Sequence, residues 1–92
     1  MKLTNENQIR LSPEVVFQEV SGEMVLLDLN SEQYFGLDEV GTRVWELLKD
    51  EGSYGQLVER MLAEYDVTES ELRKDLEALF SGLHKEGLVT VV

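Results

Sequence analysis

The stretch "SEQYFGLDEVGTRVW", residues 31–45, changes the spacing of its apolar side chains partway along. Up to Leu37, large apolar residues follow one another closely after a polar turn, which is typical of a short strand. From Asp38 onward, the apolar positions recur three and four residues apart, which is typical of one face of a helix. We therefore expect a short strand that leads directly into a buried helix.

Two apolar runs before this stretch predict the other strands of a sheet. They cover residues 14–20 and 24–29, and the turn-like residues 21–23 separate them. Together with the strand at residues 34–37 they predict a three-stranded antiparallel meander with the last strand at an edge. Residues 1–13 are polar with isolated apolar positions and end at Pro13, so we expect a flexible N-terminal tail followed by a single domain over residues 14–92.

Two capping boxes predict the starts of two further helices. Ser53 with Gln56 begins the second helix, and Thr68 with Glu71 begins the third, which continues with apolar residues at helical spacing until Gly87. Residues 88–92 predict a short closing strand. The order of three strands followed by three helices predicts an α+β fold of the winged helix-turn-helix type.

Composition and charge limit the classes of function. The chain has 92 residues, no cysteine and a net charge of −11, from 8 basic and 19 acidic residues. Disulfides are therefore excluded, and the negative charge argues against nucleic acid and other phosphate-bearing partners. The N-terminus lacks the apolar run of a signal peptide, and no segment has the length of a membrane span. We expect a cytoplasmic protein with no membrane partner.

The side chains that carry enzyme chemistry are scarce in this sequence. His84 is the only histidine and falls in the last turn of the predicted third helix, where a cation interacts favourably with the helix dipole. The carboxylates follow neither a calcium-loop pattern nor a zinc-helix pattern. We therefore expect no catalytic residue, no metal site and no cofactor, and we predict that the protein is not an enzyme.

A DNA-binding regulator is one alternative, because the second and third helices suggest helix-turn-helix geometry. A recognition helix has to present positive charge to the duplex. The segment "TESELRKDLEALFSGLHKEG", residues 68–87, instead carries more acidic than basic residues. The sequence therefore favours a protein-binding surface over a nucleic-acid-binding one.

The predicted edge strand at residues 34–37 is a candidate for such a surface. An edge strand leaves a row of backbone N–H and C=O groups unpaired, and here neither proline nor charge blocks it. Strand alternation sends Phe35 and Leu37 to one face and Tyr34 and Gly36 to the other. The edge suits an added peptide strand, and it equally suits a dimerisation module that forms a homodimer without binding a peptide.

Two consecutive stretches of the chain resemble a known family. They are "LLDLNSEQYFGLDEVGTRVWELL" and "LVERMLAEYDVTESELRKDLEALFSGLHKEGLV", and the resemblance to PqqD-like proteins covers residues 14–90. These proteins are the leader-recognition elements of pathways that make and modify ribosomal peptides. The resemblance implies a non-catalytic adaptor that binds the leader of a precursor peptide. It also implies a modifying enzyme as partner, such as a radical SAM enzyme or a leader peptidase.

The resemblance also implies which residues form the peptide site. The leader would pair with the strand formed by Gln33, Tyr34, Phe35, Gly36 and Leu37. The third helix would supply the groove wall, from Leu72, Arg73, Leu76, Leu79 and Phe80. The leucines equally fit core packing, and Arg73 equally fits an ion pair with Glu69 or Glu77 at helical spacing.

The turn before the edge strand departs from the family pattern. It often carries glycine in such proteins, whereas this chain has Glu32 and Gln33 there. The sequence therefore leaves open which residues of the edge strand point their backbone groups outward.

Overall fold

The computed structural model describes residues 2–49 and 52–92, and within these ranges the chain forms a meander of strands followed by helices. In chain order the elements are β1 Ile9–Leu11, β2 Val15–Val20, β3 Glu23–Asp28, β4 Gln33–Gly36, α1 Glu39–Leu48, α2 Tyr54–Glu64, α3 Glu69–Lys85 and β5 Val89–Val91. The main sheet is antiparallel with the strand order β2-β3-β4. The predicted α+β fold, with its three-stranded sheet followed by three helices, is confirmed.

Two turns set the register of the main sheet. The β2–β3 turn has positive φ angles at Ser21 (53°) and Gly22 (84°), as a tight two-residue hairpin turn requires. The β3–β4 turn has a positive φ of 59° at Glu32. The buried Asp28 carboxylate braces that second turn, because it accepts hydrogen bonds from the Asn30 N–H and the Ser31 hydroxyl, each at 3.0 Å.

The N-terminal segment is part of the fold, which corrects the expectation of a flexible tail over residues 1–13 for its described part. Strand β1 pairs antiparallel with β5, and Leu3 and Ile9 are buried in the core. The Gly55 N–H donates to the Asn5 carbonyl at 3.1 Å, and a Cβ at Gly55 would lie 2.9 Å from the Asn5 Cβ. The domain therefore includes residues 2–13, held by strand pairing and by close contact with the start of α2.

All three helices begin at a side chain that caps their first turn. Asp38, Ser53 and Thr68 accept hydrogen bonds from the backbone N–H three residues further on, at 2.8, 3.2 and 3.2 Å. Such caps satisfy N–H groups that have no partner within the helix. The two helix starts predicted from capping boxes are thus confirmed.

The core lies between the inner face of the main sheet and the three helices. Trp45 of α1 packs edge-on against Phe17 of β2, with ring centroids 6.0 Å apart. Tyr54 of α2 packs in the same way against Phe80 of α3 at 6.4 Å. None of the helices in the described ranges has both the length and the apolar composition of a membrane span.

Candidate functional site: the β4 edge and its flanking surfaces

Strand β4 is the outer strand of the main sheet on the side of α3. It pairs with β3 only, in a register that places Leu26 opposite Phe35 and Leu27 opposite Tyr34. No other strand in the described ranges pairs with its second side. The backbone groups on that side are therefore available to an added strand.

The structure assigns the direction of those backbone groups, which the sequence leaves open. The Leu37 N–H donates to the Met24 carbonyl at 2.8 Å, so these two residues face each other as a hydrogen-bonded pair. Hydrogen-bonded and non-hydrogen-bonded pairs alternate along an antiparallel ladder. Phe35 therefore directs its N–H and C=O toward Leu26, whereas Tyr34 and Gly36 direct theirs toward the free edge.

The Thr42 hydroxyl fixes the end of β4 against α1. It accepts the Met24 N–H at 2.8 Å and donates to the Leu37 carbonyl at 3.3 Å. Thr42 thus replaces one bond of the β3–β4 ladder from a buried position on the first turn of α1. Thr42 therefore links the end of β4 to α1 at the point where the strand leads into the helix.

An apolar groove of about 400 Å³ runs between β4 and α3. Its lining residues are Phe35, Gly36, Leu37, Ala78, Leu79, Gly82, Leu83, Glu86 and Leu88. The groove exists because α3 presents small residues on this flank. Ala78 and Gly82 lie one helical turn apart, beside the larger Leu79 and Leu83, and a Cβ built at Gly82 meets no atom within 4 Å.

Of the residues predicted for the groove wall on α3, only Leu79 lines this groove. Leu72, Leu76 and Phe80 are buried in the core, with exposed fractions of 5%, 2% and 0%. Arg73 faces the N-terminal segment, where its guanidinium lies 2.8 Å from Glu69 and 2.9 Å from Asn5. The structure therefore brings Leu79 next to β4 and places the other four residues elsewhere.

Three residues of α3 and its C-terminal cap line the groove although the sequence does not predict them there. They are Ala78, Gly82, Leu83 and Glu86. The signal available in the sequence is the pairing of small and large residues at helical spacing on one flank of α3, next to the buried stripe. The predicted wall consists of Arg73 and four large apolar residues, and three of those four lie in the core instead.

The other face of β4 is also apolar and faces away from the helices. Tyr34 is 72% exposed there and lies opposite the half-buried Leu27 of β3. A second hollow of about 330 Å³ lies on this outer face. It is lined by Val16, Phe17, Gln18, Val20, Val25, Leu27 and Tyr34. The edge strand thus has an apolar surface on each side.

Charged groups are sparse at the edge itself. Glu86 is the one charged residue that lines the groove, and the outer hollow has none. In the parts of the chain that the structure describes, no three histidine or carboxylate side chains cluster as a metal site would require. The arrangement is suited to binding an extended apolar segment through backbone hydrogen bonds and side-chain burial.

We compared the chain with known protein families and with curated proteins. The family model for "Coenzyme PQQ synthesis protein D (PqqD)" matches residues 23–89, which include β3, β4 and all three helices. No curated protein matches the chain.

Two solved structures are similar along nearly the whole chain. The first is TbiB1 in complex with the TbiA(beta) leader peptide, with 35% sequence identity and a TM-score of 0.83. That match covers 87% of this chain and 93% of TbiB1. The second is a lasso peptide synthetase B1 complexed with the leader peptide, with 28% identity and a TM-score of 0.81. It covers 90% of this chain and 98% of the synthetase chain. From the family match and this similarity together, the chain belongs to the PqqD family.

Proposed function

We propose that this protein is a non-catalytic adaptor that binds the leader segment of a ribosomally made precursor peptide as a strand added to β4. The observation that carries the proposal is the free edge, where Tyr34 and Gly36 direct their backbone groups outward beside an apolar groove. The two similar proteins whose structures contain bound leader peptides support it.

Micromolar peptide binding requires burial of peptide side chains as well as backbone hydrogen bonds. Tyr34 and Gly36 each offer one donor and one acceptor, and four hydrogen bonds contribute roughly 2 to 6 kcal/mol in total. Micromolar binding needs about 8 kcal/mol, and ordering a flexible peptide adds a further cost. Burying two or three apolar side chains at about 1.5 to 3 kcal/mol each closes this difference. The groove between β4 and α3 is where we expect those side chains to bind.

If this protein is an adaptor, a partner enzyme carries out the covalent modification of the precursor peptide. The chain has no cysteine, and its single histidine, His84, lies exposed in the last turn of α3, at a helix end that favours a cation. A modifying enzyme, such as a radical SAM enzyme or a leader peptidase, would therefore act on the core segment while the leader stays bound.

A random peptide library displayed on mRNA and selected on the immobilised protein tests peptide binding without knowledge of the natural leader. We expect enriched peptides with apolar residues at alternate positions, because every second side chain of an added strand enters the groove. An enriched peptide should bind in solution when its binding is measured by fluorescence anisotropy. The absence of any such enrichment would contradict the proposed function.

A matched pair of leucines locates the binding site. Leu79 lines the groove, whereas Leu62 on α2 is also half-buried against the core but lies away from β4. Leu79→Ala should weaken binding of an enriched peptide by roughly tenfold, which corresponds to about 1.4 kcal/mol. Leu62→Ala should leave the affinity unchanged at a similar cost in stability. Equal effects of the two substitutions on affinity would contradict binding at this groove.

A homodimer through the same edge is the competing use of β4. Sedimentation with and without an enriched peptide distinguishes the two, because a peptide at the edge would convert such a dimer to a monomeric complex. A dimer that binds the peptide and stays intact would show that the dimer contact and the peptide do not share the β4 edge.

A further inference from the structure

The outer face of the main sheet carries an exposed apolar surface. Val16 and Val20 are each 51% exposed and Tyr34 is 72% exposed, although all three lie on strands. The hollow on this face has no charged lining residue, and its polar groups come from Gln18 and the Tyr34 hydroxyl. An occupant of this hollow would therefore be apolar and uncharged.

Gly36 adds a second, independent observation at the same place. Its φ is not positive, and a Cβ built on it meets no atom within 4 Å, so the fold itself does not require glycine there. Gly36 is the last residue of β4, and a glycine there lets a ligand or another backbone approach the strand closely. Gly36 lies opposite Val25 and next to Tyr34 on the outer face, so its missing side chain leaves space beside both.

The geometry of strand addition connects these two observations. Side chains directly opposite each other on paired strands lie on the same face, whichever way the added strand runs. The peptide residue opposite Tyr34 therefore projects onto the outer face, and its two neighbours project toward the groove. A large side chain at that position lies diagonally over Gly36 and extends toward Val25.

We infer that the bound peptide is recognised on both faces, with a large apolar or aromatic residue opposite Tyr34 packing on Tyr34, Gly36 and Val25. This inference rests on the proposed function and specifies its ligand. The preferred segment has three consecutive apolar positions, two for the groove and one between them for the outer face. Tyr34 and Gly36 determine the specificity at the middle position.

The library selection described above tests the inference when it is repeated on two outer-face variants, Tyr34→Ser and Gly36→Val. Both positions are exposed, so the variants should fold as the wild type does, and circular dichroism checks this. With the wild-type protein we expect roughly tenfold enrichment of large apolar residues over serine at the middle position. Both variants should lose this preference for a large apolar residue at the middle position.

The outcomes separate the inference from the proposed function. The wild-type selection could enrich apolar residues at the two groove positions and show no preference at the position between them. That result would overturn the inference and leave the proposed function standing. A preference for large apolar residues at the middle position that persists in both variants would also overturn the inference. The peptide side chain at that position would then bind somewhere other than Tyr34 and Gly36. A wild-type selection without enrichment of apolar residues at the two groove positions would contradict both the inference and the proposed function. Leu79→Ser should remove the preference for apolar residues at the groove positions and keep the preference for a large apolar residue at the middle position.

Discussion

At the scale of single residues, Tyr34 and Phe35 are neighbours that use their backbone groups in opposite directions. The Leu37–Met24 hydrogen bond fixes this alternation, because it places Phe35 in a hydrogen-bonded pair with Leu26 and leaves Tyr34 facing the edge. The sequence alone leaves both directions open, since a shift by one residue along the strand exchanges the two roles.

A pair of proline substitutions follows from this alternation. Tyr34→Pro removes an N–H that only an added strand would use, and proline is tolerated on edge strands, so the variant should stay folded and lose peptide binding. Phe35→Pro removes a donor of the β3–β4 ladder and should lower the melting temperature. Circular dichroism and fluorescence anisotropy with an enriched peptide measure the two effects. A folded Tyr34→Pro variant with unchanged affinity would contradict strand addition at β4.

At the scale of elements, α3 combines a buried stripe with a flank of small residues. Apolar spacing predicts the stripe, because Leu72, Leu76 and Phe80 recur at helical intervals and are buried. It does not predict the groove, because Ala78 and Gly82 create the groove through the side-chain atoms they lack. The flexible-tail prediction is wrong for a related reason. Leu3 and Ile9 are isolated apolar residues, and their burial depends on a strand pairing between opposite ends of the chain.

Gly82→Ala should separate stability from binding in α3. Alanine in a helix interior is favoured over glycine by about 0.5 to 1 kcal/mol, so the variant should unfold at a higher denaturant concentration. Its Cβ projects into the groove, so binding of an enriched peptide should weaken severalfold. Ser81→Ala, at the adjacent position that does not line the groove, should retain full affinity. Undiminished affinity in Gly82→Ala would remove α3 from the binding site.

The contact between α1 and α2 predicts a pH dependence of stability. Arg43 binds Glu64 in a bidentate pair at 2.6 and 2.7 Å, and this hydrogen bonding lowers the pKa of the Glu64 carboxyl below its ordinary value of 4.5. A carboxyl with a lowered pKa in the folded state stabilises the fold above its unfolded pKa. That contribution is lost as the pH falls through the folded pKa.

Glu64→Gln should therefore be less stable than the wild type near pH 7, and the difference should disappear as the pH falls through the lowered folded-state pKa of Glu64. Denaturant unfolding across this range measures it. Glu59→Gln, an exposed carboxylate on the same helix, should show no comparable change. A stability difference for Glu64→Gln that is constant with pH would contradict this account of the pair.

At the scale of the whole molecule, the net charge of −11 sets the class of partner. Winged helix-turn-helix folds place a recognition helix in DNA, and that contact gains affinity by releasing counterions from the phosphates. The α3 segment has acidic residues in its first turn, and its Arg73 is engaged by Glu69 at 2.8 Å. The fold is thus of a type used for nucleic acid, whereas the charge opposes that use.

We accordingly expect no binding of duplex DNA at physiological salt. An electrophoretic mobility assay with a random-sequence duplex and micromolar protein measures this. A shifted band that disappears at high salt would contradict the assignment and favour a DNA-binding regulator.

Amide hydrogen exchange measured by NMR on the protein saturated with an enriched peptide tests strand addition to β4 most directly. An added strand bonds to the outward N–H groups of Tyr34 and Gly36, so both amides should exchange far more slowly in the complex than in the free protein. The Phe35 amide is already bonded within the sheet and should be protected in both states. Unchanged exchange at Tyr34 and Gly36 in the saturated complex would contradict the account.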